Sequence, residues 1–239
     1  MNSVKAVDNM SAPASNLRYE RKFTGATSER SAILQGIRHH PSFFSEIYSP
    51  RQVNNIYLDT PDLQFYKHNV IGIARRKKVR IRWYGDTFGE TRNPKVEYKL
   101  KDGLLGDKWT FDFPDFTLDE TFTIRQLHQW VRAATDLPPF VREELLTLQP
   151  TLVNSYRRTY FTIPDHTVRL TFDEELKYYR VLPYHNTFLA FDHDRESYII
   201  ELKYAPDLDQ RIPSIAGALP VRLSKSSKYV NGVDRMVVR

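Results

Sequence analysis

Five short stretches of the chain alternate between charged and apolar residues, and the charged positions are mainly Lys and Arg. Successive residues of a strand point to opposite faces, so alternation sorts each stretch into two sets. Residues 18–23 give Arg18, Glu20 and Lys22 against Tyr19, Arg21 and Phe23. Residues 78–84 give Lys78, Arg80, Arg82 and Tyr84 against Val79, Ile81 and Trp83. Residues 96–101 set Glu97, Lys99 and Lys101 against Val96, Tyr98 and Leu100, and residues 200–204 set Glu201 and Lys203 against Ile200, Leu202 and Tyr204. In residues 168–173 the polar set is Arg169, Thr171 and Asp173. One such strand is an ordinary half-buried edge with a solvated outer face. Five with the same sign are different, because like charges on neighbouring strands repel unless an anion lies between them. Burying one unpaired charge costs several kcal/mol even after relaxation. The pattern therefore predicts an inside-out arrangement. Apolar faces pack outward against helices, and charged faces line a wet interior that holds a polyanion, for which Arg forks and Lys point charges suit phosphate oxygens.

Thirty-five Lys and Arg against 29 Asp and Glu give a net charge of +6 over 239 residues, and a pI of about 9.4 agrees with an anionic partner. The absence of cysteine excludes a disulfide framework, a thiolate metal site and a thiol nucleophile. No apolar run reaches the roughly 18–20 residues that span a bilayer, and the N-terminus lacks a signal-peptide core, so the expected location is the cytoplasm. Residues 1–16 read as a disordered leader and residues 17–239 as one domain. Strands are expected at 17–24, 52–58, 77–84, 94–101, 151–163, 167–172 and 197–204. Helices are expected at 28–39, 121–134, 141–148, 208–219 and 226–238. Turn-like loops such as Ile163-Pro164-Asp165-His166 suit antiparallel hairpins. The class is α+β on an antiparallel sheet or barrel.

Taken in order, Tyr19-Glu20-Arg21-Lys22-Phe23, Tyr57-Leu58-Asp59-Thr60-Pro61 with Leu63, the Lys78–Tyr84 strand, Glu97-Tyr98-Lys99-Leu100-Lys101 and Ile200-Glu201-Leu202-Lys203-Tyr204 resemble the triphosphate tunnel metalloenzymes of the CYTH-like superfamily. Asn154–Phe161, Arg169–Asp173 and Ser224–Tyr229 resemble its VTC branch, the catalytic domains of polyphosphate polymerases. The resemblance implies a tunnel of eight antiparallel strands with helices packed outside, ATP and inorganic polyphosphate as ligands, and Mn²⁺ or Mg²⁺ on the phosphates. It implies that Lys22, Arg80, Arg82, Lys99, Arg158, Arg169, Lys225 and Lys228 contact phosphate, with Tyr156 beside them. Glu201 would hold the metal, with Glu20 and Glu97 as further candidates. Position 18 is Arg, where hydrolytic members carry a Glu, and this leans toward transfer to phosphate over transfer to water. The relatives resembled also carry a sensor domain and a membrane segment, so this chain reads as a stand-alone catalytic module with a membrane partner protein possible.

Three functions follow from the same residues: a polymerase, a triphosphatase using water as acceptor, and a non-catalytic polyphosphate binder. Nucleic acid is not expected, because stacking platforms need aromatics and cations on one face and these strands separate them. His39-His40 and Asp192-His193-Asp194 lack zinc-site spacing and read as loop residues. Arg75-Arg76-Lys77-Lys78 reads as the entry to the Arg80/Arg82 strand.

Overall fold

The structure, a computed structural model, describes residues 18–103, 105–219, 221 and 223–238; the expected leader over 1–16 lies outside the described residues. Among the described residues eleven strands are formed: β1 (Tyr19–Ala26), β2 (Ser45–Asp59), β3 (Arg75–Tyr84), β4 (Gly89–Glu90), β5 (Lys95–Asp102), β6 (Leu105–Asp112), β7 (Thr117–Leu118), β8 (Gln149–Thr162), β9 (Val168–Arg180), β10 (Phe191–Asp194) and β11 (Ser197–Tyr204). Six α-helices accompany them: α1 (Arg30–Arg38), α2 (Gln64–Ile71), α3 (Ile124–Ala133), α4 (Pro139–Thr147), α5 (Ile212–Gly217) and α6 (Lys228–Met236). No helix among the described residues is long and apolar enough to cross a membrane.

The protein is a mixed α+β fold on one large antiparallel sheet. Its path runs β1-β11-β9-β8-β2-β3-β5-β6, with β10 paired to β9, while β4 and β7 form a separate ribbon. At the ends of that path, Arg18 and Gly106 form an isolated antiparallel bridge beside β1 and β6. The eight strands of the path match the expected number; β10, the β4–β7 ribbon, β6 and α2 were not foreseen. β6 lacks a clean alternation, and α2 is only eight residues long, with Phe65, Tyr66, Val70 and Ile71 not gathered on one helical face.

The outward apolar faces are buried as the pattern requires. Val79, Ile81, Trp83, Val96 and Tyr98 pack under α3 and α4, which contribute Leu127, Val131, Val141 and Leu145. Phe23, Leu170, Phe172, Ile200 and Leu202 pack under α1 and α5 through Ile33, Ile37, Ile212 and Ile215. Pro213 sits in the first turn of α5, where its missing N–H costs nothing.

One helix departs from the expected outside position. Tyr229 and Val233 of α6 pack against Val53, Tyr57, Leu152, Tyr156, Leu176, Tyr178 and Ile199. Val53, Tyr57, Leu152, Tyr156 and Ile199 belong, by strand parity, to the face that carries Arg158 and Glu201. One end of the inner face is therefore apolar and covered by α6. A bulge makes this possible in β9. Glu175 has a left-handed φ of 55°, and the β8–β9 register shifts between Ser155 and Arg157, so Asp173 and then Leu176 and Tyr178 face the same way.

Asp59 fastens α6 from the other side. Fully buried, it accepts the backbone N–H groups of Thr60, Phe65 and Tyr66 at 2.7–2.8 Å, capping α2, and also accepts the Tyr229 hydroxyl. Gly232 permits the close approach, since a Cβ there would overlap Leu152 and Tyr178. Gly232→Ala should destabilise the protein by about 1–3 kcal/mol, read as a lower urea midpoint; an unchanged midpoint would show that α6 is not held this closely.

Candidate functional site

Beyond the apolar end, a connected cluster of nine cations and four carboxylates lies on the inner face among the described residues. The cations are Lys22, Lys78, Arg80, Arg82, Lys99, Lys108, Arg158, Lys203 and Lys228; the carboxylates are Glu20, Glu97, Asp173 and Glu201. β1 and β5 stand far apart along the sheet path, yet Glu20 and Lys99 meet at 2.6 Å, so the sheet is curled around this face.

Each carboxylate is shared. Glu97 takes both Arg80 nitrogens at 2.6 and 2.9 Å on one oxygen and Lys108 at 2.6 Å on the other, with Arg82 at 3.4 Å. Asp173, wholly buried, holds Arg158 bidentately at 2.6 and 2.7 Å and Lys228 at 2.5 Å. Arg82 reaches Asn55 at 2.9 Å and the Tyr156 hydroxyl at 3.1 Å, and Asn55 donates to Asn154 at 2.8 Å. Lys22 donates to the Ser226 carbonyl at 3.0 Å, and Lys78 to the Ser227 hydroxyl at 2.7 Å.

Glu201 differs from the other three. Lys22, Lys99, Lys203 and Arg158 surround it at 3.7–3.9 Å, outside hydrogen-bond distance, and its buried Oε1 has no hydrogen-bond partner among the described residues. Thr171, opposite it in the β9–β11 register, has a hydroxyl in the same condition. A buried carboxylate oxygen left open among cations is a donor atom available to a ligand or ion.

The electrostatics follow from this crowding. Burial would push Glu201 up, but Lys203, Lys22, Lys99 and Arg158 hold it well below the usual carboxylate range. Arg82, Arg80 and Lys108 do the same for Glu97 against its burial, and Arg158 and Lys228 bring Asp173 to about 2. The surplus falls on the lysines. Burial lowers Lys22 to about 8, with Glu201 pulling it up and Lys99 pushing it down. Burial, reinforced by Lys22 and Lys99, lowers Lys78 well below its usual value. Tyr156 is pushed up by burial, yet Arg158 and Arg82 bring it down to about 8.

Of the residues singled out in the sequence, Lys22, Arg80, Arg82, Lys99, Tyr156, Arg158, Lys228, Glu20, Glu97 and Glu201 are thus brought together. Arg169 lies on the same face but is exposed at the far end of β9, opposite Lys203. Lys225 is exposed in the segment before α6 and does not share a helix face with Lys228. Glu97 is already occupied on both oxygens, which leaves Glu201 as the open carboxylate. Sequence reasoning assigned no role to Asp173, Lys78, Lys203, Lys108 or Asp59; the parity of β9, β3 and β11 placed the first three on the charged face without identifying their partners. Asp192 and Asp194 turn out to hold Arg235 of α6 at 2.7 and 3.0 Å. No group of three or more His, Cys, Asp or Glu is positioned for a metal among the described residues.

The family model described as VTC domain matches residues 17–237. The chain belongs to the VTC domain family. Its fold is similar to that of the PH1819 protein of Pyrococcus horikoshii OT3, with a TM-score of 0.52, 13% identity, and 91% of this chain and 99% of that one covered. It is also similar to a candidate adenylate cyclase from Bacillus halodurans, with a TM-score of 0.53, 14% identity, and 93% and 98% covered. No curated protein matches the chain. Within this VTC domain, the described residues of the inner face are the one place where the strand pattern, the charge and the open Glu201 oxygen coincide.

Two consequences are measurable. Lys22 at about 8 lies below the ordinary lysine value of 10.5, and Tyr156 at about 8 lies below 10.0. Between those limits the unfolded chain binds more protons than the folded one, so these groups make the ligand-free protein more stable as pH rises from about 8 toward 10. Thermal unfolding at pH 7.5 and 9.5 should show that gain, and its loss in Lys22→Met with Tyr156→Phe. Lys78→Met removes a charge that burial disfavours, and should raise the melting temperature on the order of 2–4 °C; a fall would show that Lys78 is stabilised by its Ser227 contact.

Proposed function

We propose that the curled sheet closes, through the Arg18–Gly106 bridge, into an eight-stranded tunnel, and that residues 17–239 act as a polyphosphate polymerase. In this reading the γ-phosphoryl group of ATP passes to a growing inorganic polyphosphate chain. The observation that carries it is the excess of cations over carboxylates on the inner face. Nine positive groups against four negative ones leave a charge that only an extended polyanion would neutralise at such density.

Phosphoryl transfer asks the protein for in-line positioning and for charge stabilisation on the equatorial oxygens. Arg80, Arg82 and Arg158 are rigid forks, tied by Glu97, Asn55 and Asp173, and are placed to clamp the β- and γ-phosphates. Lys22, Lys99 and Lys203 gather around Glu201 and would neutralise the transferring group. Lys228 stands at the first turn of α6, capped by Ser227, where helix N–H groups add a favourable field for an anion. Exposed Arg169 and Lys225 would guide the acceptor chain outside this cluster. The acceptor's terminal oxygen attacks the γ-phosphorus, the bond to the β-phosphate oxygen breaks, and ADP leaves with the bonding electrons. An ionised acceptor requires no proton removal.

The open Glu201 oxygen and the Thr171 hydroxyl would hold Mn²⁺ or Mg²⁺ together with phosphate oxygens, whereas Glu20, like Glu97, has both oxygens taken, here by Lys99. The ion's contribution when bound is to neutralise charge across the phosphate oxygens. The alternation of β3, β5 and β11 argues against nucleic acid as the inner ligand, and the expected setting is the cytoplasm with a membrane protein as a possible partner.

The purified protein with ATP and Mn²⁺ should yield long chains on a polyphosphate gel together with ADP. Arg80→Ala and Glu201→Gln should each lower the rate about 10²-fold or more. Free phosphate without chains would identify a triphosphatase, and neither product, with polyphosphate still bound, a binding module.

A further inference from the structure

The inner face changes character just beyond Arg82 and Arg158. Two residues along the same strands, and on the same face, stand Tyr84 in β3 and Tyr160 in β8. β2 lies between those strands and places Arg51 opposite Arg158. The Arg51 guanidinium lies 4.2 Å from the Tyr48 ring centre, 5.7 Å from that of Tyr84 and 6.0 Å from that of Tyr160. Tyr48 and Tyr160 meet edge to face at 5.7 Å. Tyr48 and Tyr84 remain 50% and 48% exposed, and Arg51 is exposed with them. Arg51 makes no ion pair among the described residues. Deeper in the face Arg158 and Lys228 also lie over Tyr156, and Arg80 lies near Tyr57, but those rings are buried, whereas here the rings of Tyr48 and Tyr84 beside the cation are half exposed.

A cation–π cluster would pin the irregular start of β2, where the register shifts between Tyr48 and Arg51. Pinning alone does not account for its position, at the open end of a phosphate-type cluster and opposite the end covered by α6. We propose that Tyr48, Arg51 and Tyr84, backed by Tyr160, form a stacking platform for the base of a nucleoside triphosphate whose phosphates lie on Arg80, Arg82 and Arg158. The platform makes the site prefer a nucleotide over inorganic tripolyphosphate.

Bases stack on aromatic rings and on guanidinium planes through faces that every base has. Two strand residues span about 6.6 Å, comparable to the reach of a ribose between its phosphate and its base. Rings and one guanidinium read the face of a base rather than its edge, so the platform separates nucleotides from inorganic chains more than one base from another. This inference rests on the reading of the inner face as a triphosphate site.

Calorimetric titration of the full chain with ATP and, separately, with inorganic tripolyphosphate tests it in wild type, Tyr48→Ala, Tyr84→Ala and Tyr48→Phe. Both alanine variants should lose about tenfold in ATP affinity, hold tripolyphosphate within about twofold, and leave the unfolding curve in place, while Tyr48→Phe keeps the wild-type preference. Ethenoadenosine triphosphate should be quenched on wild type and less so on Tyr48→Ala. Tripolyphosphate binding with ATP affinity unchanged in the alanine variants, or with both ligands weakened equally, would overturn the platform and leave the triphosphate reading standing. Binding of neither ligand by wild type would overturn both.

Discussion

The rest of this structure depends on a mismatch of charge on one face of a curled sheet. Four carboxylates cannot neutralise nine cations, and the deficit appears in the titration of the lysines. Burial lowers Lys22 and Lys78, with Lys99 pushing both down and Lys22 also pushing Lys78 down, whereas Lys99, beside Glu20 and Glu201, is raised despite its burial. Where a carboxylate is within hydrogen-bond reach the cation is comfortable, and where it is not the cation bears the cost. A fold that keeps such a face is less stable than it would be with Met or Gln at the same positions. The natural compensation is a bound polyanion, which stabilises the folded state by mass action.

The surrounding architecture holds that face rigid without touching its ligand. Two outward apolar layers, under α3 and α4 on one side and α1 and α5 on the other, supply the burial that a charged interior cannot. α6 then closes one end from within. Asp59 joins it to α2 through Tyr229, Arg235 joins it to Asp192 and Asp194, and Lys228 joins it to Asp173. The same helix is thus anchored to the apolar end, to the outer rim and to the phosphate-type cluster.

Much of this was legible in the chain because strand parity has a period of two, which places side chains on faces without knowledge of the fold. Arg80, Arg82, Lys99 and Glu201 were placed on the charged side by alternation alone, Arg158 by the resemblance of its segment to the VTC branch, and the structure brings them together. Parity fails where the backbone does something irregular. The bulge at Glu175 reverses the facing of Leu176 and Tyr178, and the register shifts in β2 bring Tyr48 toward Arg51 and Tyr160. The expected helix over 226–238 begins at Lys228 instead, because the Ser227 side chain caps its first turn.

The alternation of Lys and Arg with Trp, Val and Ile determined by itself that this chain forms an antiparallel sheet with one charged face, since no other arrangement buries the apolar half of each strand. Which carboxylate stays open was a tertiary matter. Glu20, Glu97, Asp173 and Glu201 are equivalent in the sequence, each an acid among bases. Strand pairing sets Arg80 and Lys108 beside Glu97 and Arg158 beside Asp173, the curl of the sheet brings Lys99 to Glu20, and the docking of α6 brings Lys228 to Asp173, all within hydrogen-bond distance. The same arrangement leaves Glu201 ringed by cations at 3.7–3.9 Å with an oxygen that none of them reaches. Distances between strands far apart in the chain decide that, and no local pattern encodes them.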